Sequence, residues 1–318
     1  MINYRYIYYL KWFLKPLLLE VLIMFQFKIV TDGAADIPLA EAAEKDIKIV
    51  PFYVSFDGKD YKKELEELSL DEFYSKIINE KLYPKTSLPS VSDYADAFEQ
   101  AVSEGSDVLC FTITNTLSGS FQSALSAKEI VEEKYPNSNI YVVNSFHATG
   151  SQLLLIHEAV KMRDAGLSVK EAYDLCEKTK NNAGIIFMVG NLDHLAKGGR
   201  IGRLVSISGT LLKIKPLIQL QNGYIDTAGI VRSRKAGLKK LAELTNAFFK
   251  KEGRNVKDYI FTVGTTNTPE EAEPLRNELK ALMPDIEFSP LHFQIGATIA
   301  THTGPDTIGV CFAEKFKK

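Results

Sequence analysis

The chain is expected to fold as an α/β protein in two domains, an N-terminal one on a parallel sheet and a C-terminal one on a mixed or antiparallel sheet. Three observations predict this. Its 318 residues exceed one average domain. Between residues 27 and 165, apolar runs of strand length alternate with stretches of helical spacing, as in a parallel sheet covered on both faces. Beyond Gly166 the strand-like runs come in pairs joined by short turns, which is the mark of antiparallel pairing.

In the first half, strands are expected at 27–31, 47–56, 108–113 and 140–144. Three helix starts carry a capping box, Ser69 with Glu72, Ser168 with Glu171, and Thr268 with Glu271, the last with Pro269 at the first helical position. After Ser120, Phe121, Ala124, Ala127 and Val131 recur at helical spacing, so that face packs on a sheet. Leu154, His157, Glu158 and Lys161 are read as a solvated face. In the second half, 184–189, 217–221, 224–228, 259–265, 296–302 and 307–313 read as strands. Gln221-Asn222-Gly223-Tyr224 is a hairpin signal, and Thr303-Gly304-Pro305-Asp306 is expected to join two more strands. The domains are accordingly placed at 24–166 and 167–318. Residues 1–23 are aromatic and aliphatic but broken by Arg5, Lys11, Lys15, Pro16 and Glu20, so they do not form a membrane span. They are read as an extension, with the working chain beginning at Met24.

Composition narrows the function. Hydrophobic content of 45%, charged content of 25% and a net charge of −2 describe a soluble globular protein without the basic excess of a nucleic-acid binder. Cys110, Cys176 and Cys311 have no zinc spacing, and Cys110 and Cys311 sit in apolar runs as small hydrophobes. A reducing, cytoplasmic setting is expected, with no metal and no integral membrane segment.

Three hydroxyl-rich loops stand out. In Thr114-Asn115-Thr116-Leu117-Ser118-Gly119-Ser120, a buried strand hands over to a helix N-terminus, where unpaired N–H groups and the dipole favour an anion. An ordinary serine cap is the competing reading. Lys85-Thr86-Ser87-Leu88-Pro89-Ser90 is extended ahead of its proline and leads into another helix. In Ala300-Thr301-His302-Thr303-Gly304-Pro305, a histidine lies between hydroxyls before a turn, able to donate to a carboxylate in either neutral tautomer. His147, His157, His194 and His292 are read as structural or surface residues. Gly198-Gly199-Arg200 followed by Arg203 is either a phosphate-facing turn or a helix stop. No phosphate loop, dinucleotide fingerprint or nucleophile elbow is present in the sequence, and no base for Ser118 lies nearby.

Taken together, these motifs resemble the DegV family. Thr31-Asp32-Gly33-Ala34-Ala35-Asp36-Ile37-Pro38 resembles its opening TDSxADLP. Thr86-Ser87-Leu88-Pro89-Ser90 is similar to TSxPS, and Leu117-Ser118-Gly119-Ser120-Phe121-Gln122-Ser123-Ala124 to LSGTYxSA. Val143-Asn144-Ser145, the stretch 192–201, Ile214-Lys215-Pro216 and His302-Thr303-Gly304-Pro305 follow in order. The resemblance implies two α/β domains with a long-chain fatty acid between them, delivered to a separate ATP-dependent fatty acid kinase that makes the acyl phosphate. It implies no cofactor besides the fatty acid. Thr86, Ser118 and His302 would hold the carboxylate, with Ser87, Gly119 and Ser120 as supporting loop residues. Arg200 and Arg232 would face the kinase or the product phosphate. Phe111, Phe187, Met188 and Leu211 are expected in the wall around the acyl tail. Two positions depart from the pattern: Gly33 replaces a serine and Asn144 an aspartate. The competing function is an acyl- or phosphoryl-transfer enzyme with Ser118 as nucleophile and His302 as base.

Overall fold

A computed structural model describes residues 27–207, 214–290 and 293–317. The expectations for residues 1–23, Leu211 and His292 lie outside the described residues. The first half runs β1 (Lys28–Asp32), α1 (Leu39–Glu44), β2 (Ile47–Val50), β3 (Tyr53–Ser55), β4 (Lys62–Lys63), α2 (Leu70–Asn79), β5 (Lys85–Ser87), α3 (Val91–Ser103), β6 (Val108–Thr112), α4 (Ser120–Lys134) and β7 (Ile140–Asn144). Its main sheet has the order β2-β1-β6-β7, and every pair is parallel. All five residues of β6 are buried, so the apolar run without alternation is explained by cover on both faces.

Two differences from the sequence reading matter for the site. The expected strand at 47–56 breaks at Pro51, which has no N–H to give to a ladder. Its second part becomes β3, the middle of a separate antiparallel sheet ordered β4-β3-β5. The segment carrying Thr86 is therefore a strand, paired Val54 to Thr86, not a free loop.

The second half runs α5 (Thr149–Asp164), α6 (Val169–Thr179), β8 (Gly184–Met188), α7 (Asp193–Lys197), β9 (Lys215–Gln221), β10 (Tyr224–Val231), α8 (Arg234–Lys251), β11 (Tyr259–Thr265), α9 (Ala272–Leu282), α10 (Ala297–Thr303) and β12 (Ile308–Glu314). The sheet order is β10-β9-β8-β12-β11, antiparallel throughout. Asn222 and Gly223 both have positive φ, the two-residue turn that Asn-Gly predicts. The stretch 296–302 is a helix, not a strand. Its small and β-branched residues read as strand, but its backbone is tied to groups from the first half, as described below.

Helix α5 also corrects the sequence reading. It has no solvated face through Leu154, His157 and Glu158: Leu154 and Glu158 are buried, and His157 Nε2 lies 2.9 Å from Glu41 Oε1. Lys161 alone of the four is well exposed. The helix packs against β6 of one sheet and β8, β11 and β12 of the other. One hydrophobic core therefore runs from Ile29 and Phe111 through Leu153 and Ile156 to Ile185 and Ile218. The Ser168 capping box is complete, Ser69 caps through one bond from Glu72 N, and Thr268 makes no side-chain cap. Ser90 and Asp93 form a further capping box at the start of α3.

At the end of β1 the Asp32 carboxylate is fully buried. It accepts bonds from Ile113 N (2.9 Å), Ser120 Oγ (2.7 Å) and Gln152 Nε2 (2.9 Å). Burial outweighs these bonds and pushes its pKa up to about 6. Asp32→Ala leaves Ile113 N without an acceptor and takes one bond each from Ser120 and Gln152, so we expect a loss of roughly 3 kcal/mol, read as a lower urea midpoint at unchanged slope.

Candidate functional site between the sheets

The site is assembled from three chain segments. Thr86 sits on β5, which is registered by its ladder with β3. Ser118 lies in the turn between β6 and α4, where Ser118 N bonds to Thr114 O (3.3 Å). Its hydroxyl accepts from Ser120 N (3.2 Å). The Ser120 hydroxyl points the other way, to Asp32 and to Tyr94 Oη (2.6 Å), so it anchors the loop and does not cap the helix. Leu88 packs over Gly119.

His302 comes from the last turn of α10. Its Nε2 and Thr86 Oγ1 are 2.9 Å apart, joining the two halves of the chain. A side-chain carbon at Gly198 would collide with His302 Nδ1, so this glycine makes room for the ring. Arg200 bonds Leu117 O through Nε (3.2 Å) and Gly198 O through Nη1 (2.7 Å), a second tie across the halves. Burial, with help from the charge on Arg200, lowers the His302 pKa to about 4. The imidazole is therefore neutral near pH 7.

Thr86, Ser87, Ser118, Arg200 and His302 all line one cavity of about 200 Å³. Its remaining wall is mostly apolar and includes Phe52, Ile113, Ile185, Phe187, Phe293 and Ile299. The residues expected around the tail take different positions relative to this cavity. Phe187 faces the cavity, but β8 alternates, and Met188 points to the opposite side, against Gly237 of α8. Phe111 is buried within the core and does not line the cavity. Arg232 is exposed after β10 and is not brought to the cavity with the other residues.

Several residues were missed. Thr149 of α5, Thr298 of α10 and Thr307 before β12 line the cavity from separate elements, a convergence with no local signal, and Thr303 joins them from the histidine motif. His194 is buried and structural, as read: its Nδ1 lies 3.1 Å from Thr301 O, and its ring packs at a tilt against Tyr83 with centroids 4.7 Å apart. His147 is structural, with Nε2 2.9 Å from Lys180 O. Asn144 Oδ1 accepts from Asn115 N and Phe146 N, so a neutral side chain suffices at this strand end. Among the described residues, no group of three or more His, Cys, Asp or Glu could hold a metal ion. None of the described helices is long and apolar enough to cross a membrane.

Residues 26–315 match a family model described as "Uncharacterised protein, DegV family". The chain belongs to the DegV family. A DegV domain-containing protein of Clostridium perfringens is 32% identical over 91% of this chain and 98% of its own length. Among solved structures, a stearic acid-binding protein from Eubacterium ventriosum superposes with a TM-score of 0.86 at 37% identity, covering 91% of this chain and 98% of that one. A DegV fatty acid binding protein from Bacillus subtilis gives 0.79 at 28% identity, covering 92% and 100%.

The His302 environment sets the sign of a pH effect. A histidine with a depressed folded pKa adds stability above its unfolded value of 6.5, and this is lost as pH falls towards about 4. His147, also lowered to about 4 by burial, acts in the same direction. Asp32, raised to about 6, acts oppositely, losing its contribution as pH rises through that value. His302→Gln should therefore lose less stability than the parent between pH 6.5 and 4, as measured by urea midpoints across that window.

Proposed function

We propose that this protein binds a long-chain fatty acid between its two halves and presents the carboxylate to a separate ATP-dependent fatty acid kinase for acyl phosphate formation. The observation that carries the reading is one cavity whose wall is largely apolar and whose polar lining includes the bonded Thr86–His302 pair together with Ser118 and Arg200. A fatty carboxylate needs a few oriented donors and a long apolar space behind them. At about 0.8 kcal/mol per methylene, burying the tail gives roughly 10 kcal/mol gross, so the tail supplies most of the affinity and the donors set orientation. The solved relatives described as stearic acid-binding and fatty acid binding support the ligand class.

In this reading the carboxylate lies among the Thr86 and Ser118 hydroxyls and His302. A neutral His302 donating from Nε2 to Thr86 Oγ1 frees the threonine O–H to donate onward to the ligand. Ser87, Gly119 and Ser120 shape the loops. Arg200 stands at the polar end, and the exposed Arg232 would serve the kinase or the product phosphate. The domains would be 24–166 and 167–318, and the setting cytoplasmic. The enzyme reading with Ser118 as nucleophile is less well supported. His302 Nε2 is engaged by Thr86, and among the described residues no hydrogen bond joins it to the Ser118 hydroxyl as a nucleophile–base pair requires.

Protein purified from a bacterial host should carry fatty acid, identified by extraction and mass spectrometry. Thr86→Val and Ser118→Ala should each weaken binding about tenfold, the loss of one hydrogen bond to a charged group. Arg200→Ala should weaken it less than His302→Ala, while lowering phosphorylation by the kinase. Absence of bound lipid together with no uptake of oleate or palmitate would overturn the proposal. Turnover of acyl esters or acyl phosphates by the isolated protein would favour the enzyme instead.

A further inference from the structure

The departure at Gly33 has a structural counterpart. Its φ is not in the positive range, so the backbone does not require glycine there. What requires it is space. A side-chain carbon at position 33 would collide with Glu64 Oε1 and stand 3.0 Å from Glu64 Cδ. The carboxylate of Glu64 thus fills the place where the family pattern puts a serine side chain.

Glu64 is 2% exposed, follows β4 directly, and precedes Leu65, a non-glycine residue at φ 68°. Its two oxygens reach across the molecule. Oε1 accepts from Phe52 N at 3.3 Å, and Oε2 from Thr298 N at 3.0 Å. Thr298 lies in the first turn of α10, and His302 in its last. Phe52, Thr298 and His302 all line the cavity.

A helix of seven residues has too few internal bonds to hold its own position. At 1.5 Å per residue it is about 10 Å long, so a shift of its first turn is carried to its last. The other ties near its start also come from the first half of the chain. Tyr74 Oη donates to Ile295 O at 2.6 Å, and the Asp36 carboxylate packs where a side chain at Gly296 would be, 2.5 Å from that position. Glu64 alone among these three bonds the backbone of the helix itself.

We propose that Glu64 is a positioning residue for His302. Seated in the space that Gly33 leaves, its carboxylate pins the first turn of α10 to the N-terminal sheets and so sets where the imidazole meets Thr86. The two positions form a matched pair: serine at 33 overfills the site while Glu64 is present, and a shorter acid at 64 makes room for it. The consequence for ligand retention rests on the fatty-acid reading, whereas the consequence for the imidazole does not.

The test compares the parent with Glu64→Ala, Gly33→Ser, Glu64→Asp and the double variant Gly33→Ser/Glu64→Asp. Two readouts are taken: the dissociation rate of a fluorescent fatty acid, and the His302 ring resonances by NMR without lipid. Glu64→Ala and Gly33→Ser should each speed dissociation about tenfold, as for a lost charged hydrogen bond, and shift the His302 resonances. The double variant should return to within about threefold of the parent, a coupling that independent sites do not show. Additive losses in the double variant would overturn the proposal. So would an Glu64→Ala protein with a lowered Tm but unchanged His302 signals and dissociation rate. Should Glu64→Ala fail to fold, Gly33→Ser against the double variant decides. A parent that binds no fatty acid sinks the lipid reading, while the NMR comparison still decides the role of Glu64.

Discussion

The buried carboxyl of Asp32 is the interaction on which the arrangement of the site depends. It closes the end of β1, fixes the backbone after β6 through Ile113 N, orients Ser120 at the start of α4, and takes Gln152 from α5. Those four elements belong to the parallel sheet, the serine loop and the helix shared by both sheets. A single unpaired donor in so dry a place costs about 1–3 kcal/mol, so each of the three donors that meets Asp32 depends on that carboxylate. With Ser120 committed to Asp32, the loop offers Ser118 to the cavity.

The two halves of the chain are not independent layers that happen to touch. Helix α5 is buried against both sheets, and its residues belong to the same core as β1, β6, β8 and β9. Around this shared core the polar ties cross repeatedly: Thr86 to His302, Arg200 to Leu117, Glu64 to Thr298, and Thr116 to Gly223 in the β9–β10 turn. Each tie joins a residue before position 120 to one after 195, and three of the four include a residue of the cavity wall. The cavity is thus a product of the docking of the halves. Neither half alone contains its polar end.

How much of this was legible in the sequence follows from the range of each cause. Strands β1, β6 and β7 of the parallel sheet, the Asn222-Gly223 hairpin and the Ser168 capping box are written in a few adjacent residues, and those readings held. Pro51 carried its own warning that 47–56 could not be one strand. The misreadings arise where distant groups decide. Residues 296–302 have strand-like composition, yet the chain is helical because carboxylates and a tyrosine from the first half receive or flank its first turn. His157 and Glu158 look like a solvated face until Glu41 and Phe316 N are brought to them. Met188 and Phe187 are one residue apart, and only the register of β8 sends one to the cavity and the other to α8. Thr86, Ser118 and His302 line the cavity together, whereas Arg232 does not, because it lies beyond the end of β10.

Charge at the polar end follows from the same burial. An imidazolium would be the stronger donor to a carboxylate, but the ring lies deep beside Arg200, and its proton is lost well before neutral pH. Arg200 is then the permanent positive charge at that end of the cavity, and its guanidinium is already bonded to two carbonyls, which restrain it without cancelling its charge. On the fatty-acid reading, the neutral Thr86 and Ser118 hydroxyls orient the carboxylate, with the one imidazole N–H committed to Thr86 Oγ1, and no closed salt bridge to a cation is formed. A carboxylate held by an ion pair is stabilised more strongly than one held by neutral donors, and is to that extent a weaker nucleophile. Were a kinase to act on that carboxylate, neutral donors would leave more of the negative charge on the attacking oxygen, while the apolar wall does the holding.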